Sequence, residues 1–165
     1  MRSTQYFEGG MEVIPPETLQ SFSFFNGLSP AELKGLSIIA NEVSFQRGDC
    51  IFPENGAAHT LYLLLDGWVD IAINTGVRDD QHGLMMTLTA GDIFGWSAVV
   101  EPHVYTASAV CASPVKAIAL RGVDLRALFE VDHKLYCAII KKICQVIASR
   151  LRATRLQMAS LFVAD

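Results

Sequence analysis

The sequence predicts a mainly β domain with flanking helices, folded as a β-roll, barrel or sandwich. Three observations carry this. Between Glu42 and Leu120 short apolar runs alternate with glycine turns, the rhythm of several short strands joined by tight connections. Helix-start signals come before that stretch. After it, apolar residues recur at three- and four-residue spacing almost to the end of the chain, the period of a helix face.

In chain order, residues 1–20 read as a flexible N-terminal arm, because Gly9-Gly10 and Pro15-Pro16 break any pattern. The arm has no continuous apolar stretch of the kind a secretory signal needs, and Met11 offers an alternative start. "FSFFNG" (22–27) reads as a helical turn ended by Asn26-Gly27. "LSPAELKGLSIIA" (28–40) reads as a helix, with Ser29 as N-cap, Pro30 at the first position and Glu32 in the first turn. Leu33, Leu36 and Ile39 or Ala40 form its apolar stripe.

"EVSFQRGDCIF" then predicts two strands about a turn at Arg47-Gly48-Asp49. "TLYLLLDGWVDIAI" predicts two more about Asp66-Gly67, and "GLMMTLTAGDIFG" and "YTASAVCASPVKAIAL" supply the rest. "NTGVRDDQHG" is the most polar segment and reads as an exposed hairpin tip. A short helix over "RGVDLRALFEVD" closes a domain spanning 21–132.

A long helix follows over 133–162. Ile140, Cys144, Ile147, Leu151, Thr154, Met158 and Leu161 form a coiled-coil-like seam with one polar member. A second stripe, Tyr136, Ile139, Ile143 and Val146, flanks its first half. One stripe suits the β-domain and leaves the seam for a second copy, so a homodimer is expected. The alternative is one wide stripe buried within a single chain.

Composition narrows the function classes. The 165 residues are 51% hydrophobic with a net charge of -4, which gives no overall nucleic-acid signature. No apolar run approaches the ~18 residues of a membrane span, so no transmembrane segment is expected. Cys50, Cys111, Cys137 and Cys144 form no CxxC pair. They read as reduced, mostly buried thiols of a cytoplasmic protein. His59, His82, His103 and His133 are scattered singly, so no metal site is expected. From Lys134 to Arg155 there are six basic residues and no acid. They form either a solvated face or a source of one or two cations for an anion.

The glycines Gly48, Gly56, Gly67, Gly91 and Gly95, in the frame "FQRGDCIFPENGAAHTLYLLLDGWVDI…AGDIFG", resemble the turn glycines of the cyclic nucleotide-binding domain of the catabolite activator protein and Fnr superfamily. The resemblance covers about residues 22–161. It implies a double-stranded β-helix (a jelly-roll-like β-roll) with an N-terminal helix and a long C-terminal dimerisation helix.

That family holds the cyclic phosphate in a cassette, F-G-E, a short helix, then R-[ST]-A. Its backbone N–H groups face the phosphate, its Arg neutralises the anion and its Glu takes the ribose hydroxyl. Here "FGWSAVV" and "YTASA" match the two halves. The resemblance implies candidate ligand residues Phe94, Gly95, Trp96, Ser97, Ala98, Tyr105, Thr106 and Ala107. In addition, Thr154, followed by Arg155, matches the helix threonine that reaches the nucleotide base. Trp96 stands where the Glu belongs and Tyr105 where the Arg belongs, so two charges are gone. Ordinary cyclic AMP or cyclic GMP is a poor match, although a cyclic nucleotide stays an open reading. An aromatic, weakly anionic or less polar ligand suits the residues better; the alternative is that the two aromatics simply fill the pocket. The alternative for Thr154 is a bond to its own i−4 carbonyl.

The transcription factors of the family carry a helix-turn-helix domain after the long helix. This chain stops at Asp165, so specific DNA binding by the chain alone is not expected. The sequence therefore reads as a stand-alone, non-catalytic sensor or regulatory module with no certain cofactor, signalling through a homodimer to an unknown effector protein. The alternative is an interaction-only module that has lost its ligand. A cupin-type metal enzyme is a weaker reading, since the His-x-His pair of that fold is missing.

Overall fold

The described part of the chain opens with a proline at a helix start and a leucine driven into the core. A computed structural model describes residues 14–74 and 82–163 (backbone only at 82 and 161–163). Helix α1 spans Pro16–Gln20, and Leu19 within it is fully buried, as is Ile14 nearly so. The expected arm over 1–20 is therefore wrong in its last part. Two apolar side chains anchor residues 14–20, and residues 1–13 lie outside the described residues, as does most of the polar hairpin tip.

A turn of 3-10 helix, Ser23–Phe25, leads to α2, Pro30–Ile39. Its start is a reciprocal capping box. The Glu32 N–H donates to Ser29 Oγ (3.3 Å), and the Ser29 N–H donates to Glu32 Oε2 (2.6 Å). Ser29→Ala should cost about 0.5–2 kcal/mol, measured by urea unfolding; an unchanged midpoint would contradict the role given to this cap.

Eight strands follow: β1 Ala40–Phe45, β2 Cys50–Phe52, β3 Thr60–Asp66, β4 Val69–Asn74, β5 His82–Leu88, β6 Ile93–Phe94, β7 Ser108–Cys111 and β8 Val115–Arg121. They form two antiparallel four-stranded sheets, in the orders β1-β8-β3-β6 and β2-β7-β4-β5. This is the expected β-roll. The strands expected about Arg47-Gly48-Asp49 and about Asp66-Gly67 are present as β1 and β2 and as β3 and β4, with the two strands of each turn in different sheets.

The central strands are apolar on both faces because both faces are covered. On β3, Leu61 and Leu63 enter the layer between sheet and helices, while Tyr62 and Leu64 enter the layer between the sheets. On β8, Ile118 and Leu120 go one way, Ala117 and Ala119 the other. A sheet's period of two makes this division unavoidable. Ala119 pairs with Tyr62, and Ala117 with Leu64, so small residues stand opposite large ones in the inter-sheet layer.

Helix α3 spans Gly122–Val131 and α4 spans His133–Val163. The Asp132 carboxylate accepts from the Leu135 N–H (2.9 Å) and caps α4. Leu135, Ile139 and Ile143 are buried in the sheet–helix layer, with Ile140 and Val146 packed at its edge. Leu135 takes the place expected for Tyr136, which is 44% exposed. The cysteines also differ from expectation. Cys111 alone is buried; Cys50, Cys137 and Cys144 are exposed, and all four are free thiols. Cys137 and Cys144 are outside the core because they lie seven residues apart on the uncovered face of α4.

Candidate functional site

The loop between β6 and β7 is built around one glycine. Gly95 has φ 77°, and a Cβ there would stand 2.6 Å from the Thr60 carbonyl oxygen. Only glycine fits. One turn of 3-10 helix, Trp96–Ala98, follows, closed by Ala98 N–H on Gly95 O (3.1 Å) and Val99 N–H on Trp96 O (2.9 Å). The return limb is tied to the β2–β3 connection, with Tyr105 N–H on Gly56 O (2.9 Å) and Asn55 N–H on Tyr105 O (2.8 Å). Among the described residues, the backbone N–H groups of Trp96, Ser97, Thr106 and Ala107 have no protein acceptor. These two limbs therefore present free donors from both sides of the loop.

Tyr105 is part of the core. It is 5% exposed, and its ring stacks on Phe52 with centroids 3.7 Å apart and planes 10° apart. Its hydroxyl donates to Thr60 O (3.0 Å) and accepts from Thr60 N–H (3.1 Å). Burial pushes its phenol above the ordinary tyrosine value, so it is neutral at physiological pH. The hydroxyl at the edge of the ring is thus already used within the fold.

A cavity of about 460 Å³ lies between this loop, the second sheet and α4. The sheet contributes Ile71 and Ile73 from β4 and Met85 and Met86 from β5. Two adjacent residues of β5 can face one cavity because the strand is bulged. Ile71 pairs with Met86 and Ala72 with Leu84, which leaves Met85 extra. The helix contributes Ile147, Arg150, Leu151 and Thr154, at the i, i+3, i+4, i+7 spacing of one face.

Arg150 is the cation of the site. Its guanidinium carbon stands 4.7 Å from the centre of the Trp96 ring, a cation–π geometry. One of its Nη groups donates to the Ile93 carbonyl. Desolvation lowers its pKa, with Asp92 opposing, yet an arginine stays charged throughout the physiological range. No carboxylate pairs with it; among the described residues the ion pairs are Lys116–Glu42 and Arg121–Asp124.

Of the residues singled out by sequence, Phe94, Gly95, Trp96, Ser97, Tyr105, Thr106, Ala107 and Thr154 line this cavity. Ala98 is buried behind it, with its carbonyl accepting from Arg126 Nη1 (2.6 Å). Arg155 is exposed and does not line it. Thr154 Oγ1 donates to the Arg150 carbonyl (3.0 Å), the local i−4 bond that competed with its ligand role. Behind the loop, the Ser108 hydroxyl accepts from the Glu54 N–H (2.8 Å). Sequence reasoning passed over Arg150. The signal was its place four residues before Thr154, on the same helix face.

The seam residues divide. Ile140 packs at the edge of the core, Cys144, Ile147, Leu151 and Met158 are exposed, and the Leu161 side chain lies outside the described residues. Ile147, Leu151 and Thr154 belong both to the seam and to the cavity wall. Among the described residues no helix is long and apolar enough to cross a membrane.

Comparisons with known proteins agree with this geometry. The profile described as "Cyclic nucleotide-binding domain" matches residues 42–132. A "CRP-like cAMP-activated global transcriptional regulator" of Mycobacterium tuberculosis is 26% identical over 149 residues, 90% of this chain, and the chain spans 64% of that regulator's length. A Geobacter metallireducens GS-15 structure, described as a cyclic nucleotide-binding protein, superposes with TM-score 0.75 at 32% identity. The match covers 84% of this chain and 98% of that one. The catabolite activator protein of Thermus thermophilus matches with TM-score 0.67 at 25% identity, over 84% of this chain and 62% of its own.

Proposed function

Because the chain belongs to the cyclic nucleotide-binding domain family, we propose that it is a non-catalytic regulatory module whose remodelled cassette takes a ligand other than ordinary cyclic AMP or cyclic GMP. The observation that carries this is Tyr105. It occupies the position of the family's phosphate-binding arginine, brings no charge, and spends its hydroxyl on Thr60. At the neighbouring position Trp96 has no oxygen to accept from a ribose hydroxyl. The retained cavity of about 460 Å³ favours a ligand over the interaction-only reading, since the two aromatics leave room between sheet and helix.

The module acts as a homodimer through α4, with an effector protein reading its state. Cytoplasmic placement is consistent with four free thiols. Ligand and dimer are coupled by residues that serve both. A ligand touching Ile147, Leu151 or Thr154 changes how α4 sits on the sheets, and thereby the population of the signalling geometry.

The experiment is calorimetric titration with cyclic AMP and cyclic GMP. Loss of one charge-assisted hydrogen bond alone costs about 1.5–3 kcal/mol, one to two decades of affinity, so neither nucleotide should bind below about 100 μM. A low-micromolar dissociation constant for either would overturn the reading of both cassette positions.

A further inference from the structure

We infer that the cavity takes an apolar organic acid, with its carboxylate against Arg150 and the free loop N–H groups and its apolar body along Ile71, Ile73, Met85 and Met86. This rests on the reading of the pocket as remodelled and names the chemical class of its ligand.

The first support is a charge without a partner. Arg150 is drawn into a partly buried position under the Trp96 ring, where a guanidinium loses much of its water. An arginine offers five N–H donors, and among the described residues one bond, to the Ile93 carbonyl, is made. The charge of Asp92 acts on it, but that carboxylate accepts from the Thr89 N–H (2.9 Å) and forms no ion pair with Arg150. A desolvated cation with unspent donors is costly until an anion meets it. The cation–π contact offsets only part of that cost. A carboxylate suits a guanidinium fork in a way a neutral ligand does not.

The second support is independent of the first. Trp96, Ser97, Thr106 and Ala107 line the same cavity, and their backbone N–H groups have no acceptor among the described residues. Such groups take an acceptor from outside the chain, a ligand or water. The third support is the rest of the wall. Beyond the loop and Arg150 it is isoleucine, leucine, methionine and phenylalanine, apart from Thr154, whose hydroxyl donates to the Arg150 carbonyl (3.0 Å). A second charged group would find no ion-pair partner there. Two adjacent methionines on a bulged strand give that wall an adaptable surface for an apolar chain or ring.

The net requirement is therefore one negative charge at one end and an apolar remainder. Its size is bounded by a cavity of about 460 Å³, within the range of small-molecule sites.

The test uses the whole chain and four probes in calorimetry: octanoate and 4-phenylbutyrate, each against its primary amide, which keeps the shape and removes the charge. At least one acid should bind at least about tenfold more tightly than its amide. Arg150→Gln should remove that preference, weakening the acid at least about tenfold and the amide little. The acid–amide contrast on the unaltered protein needs no variant, so it decides even if Arg150→Gln folds poorly. Equal binding of acid and amide, or an acid preference that survives Arg150→Gln in a folded variant, would overturn the inference. Binding of none of the four probes, with cyclic AMP also silent, would overturn the ligand class and leave the remodelled cassette standing. Low-micromolar cyclic AMP binding would overturn both.

Discussion

Tyr105→Ala is expected to destabilise the domain by about 3–5 kcal/mol, the range for removing a buried aromatic side chain. Three losses add up. The ring's stack on Phe52 disappears, the inter-sheet layer to which Tyr105 belongs gains a cavity beside Phe52, and both backbone groups of Thr60 lose the hydroxyl that satisfies them. A domain of this size is stable by roughly 5–15 kcal/mol, so urea unfolding should show a midpoint lowered by a large fraction. Tyr105→Phe isolates the hydroxyl and should cost about 1–3 kcal/mol, the penalty for leaving a buried partner unmet. A Tyr105→Ala variant within about 1 kcal/mol of the original would mean that Tyr105 is a surface ligand contact.

Leu151→Asp is expected to abolish dimerisation at micromolar concentration. In one chain Leu151 is 49% exposed, so the fold should survive. Across a seam of two α4 helices the aspartate would be an unpaired charge in an apolar interface, at a cost of about 3–5 kcal/mol, about two to three and a half decades in the association constant. Sedimentation of both proteins decides the matter, and a monomeric unaltered protein would defeat the dimer outright. Because Leu151 also lines the cavity, Met158→Asp is the companion variant. Met158 is 54% exposed and lies outside the cavity wall. It should split the dimer while leaving direct ligand contacts intact.

The sequence made the β-roll legible because its strands and turns are written in local terms. Apolar runs of the right length are punctuated by Gly48, Gly67 and Gly91, each of which adopts positive φ. Gly56 does not; its neighbour Asn55 takes the positive φ instead, a substitution that spacing alone does not reveal. The capping box at Ser29 and Glu32 was readable for the same local reason. The site was readable only as a list of positions. Tyr105 was visible as an uncharged replacement, but its two bonds to Thr60 join residues 45 apart, and no periodicity encodes such a pairing. Arg150 looked like one of six cations on a solvated helix. Only the path of α4 over the β6–β7 loop distinguishes it from Lys141 or Arg152. The anchoring of Leu19 was hidden because one leucine in a five-residue helix makes no stripe.

The extra residue in β5 carries a consequence for how this chain can change over time. On either side of Met85 the strand is paired in two different phases with β4. Removing that residue would bring the two phases together as a regular ladder in which Leu84 and Met86 keep their partners and their faces, and the pocket would lose one methionine. A deletion elsewhere in β5 would instead shift the residues between it and the bulge by one and turn them to the opposite face. The extra residue is thus a reserve of length in this strand: a loss at 85 should trim the site, whereas a loss farther along β5 should change which residues the pocket meets.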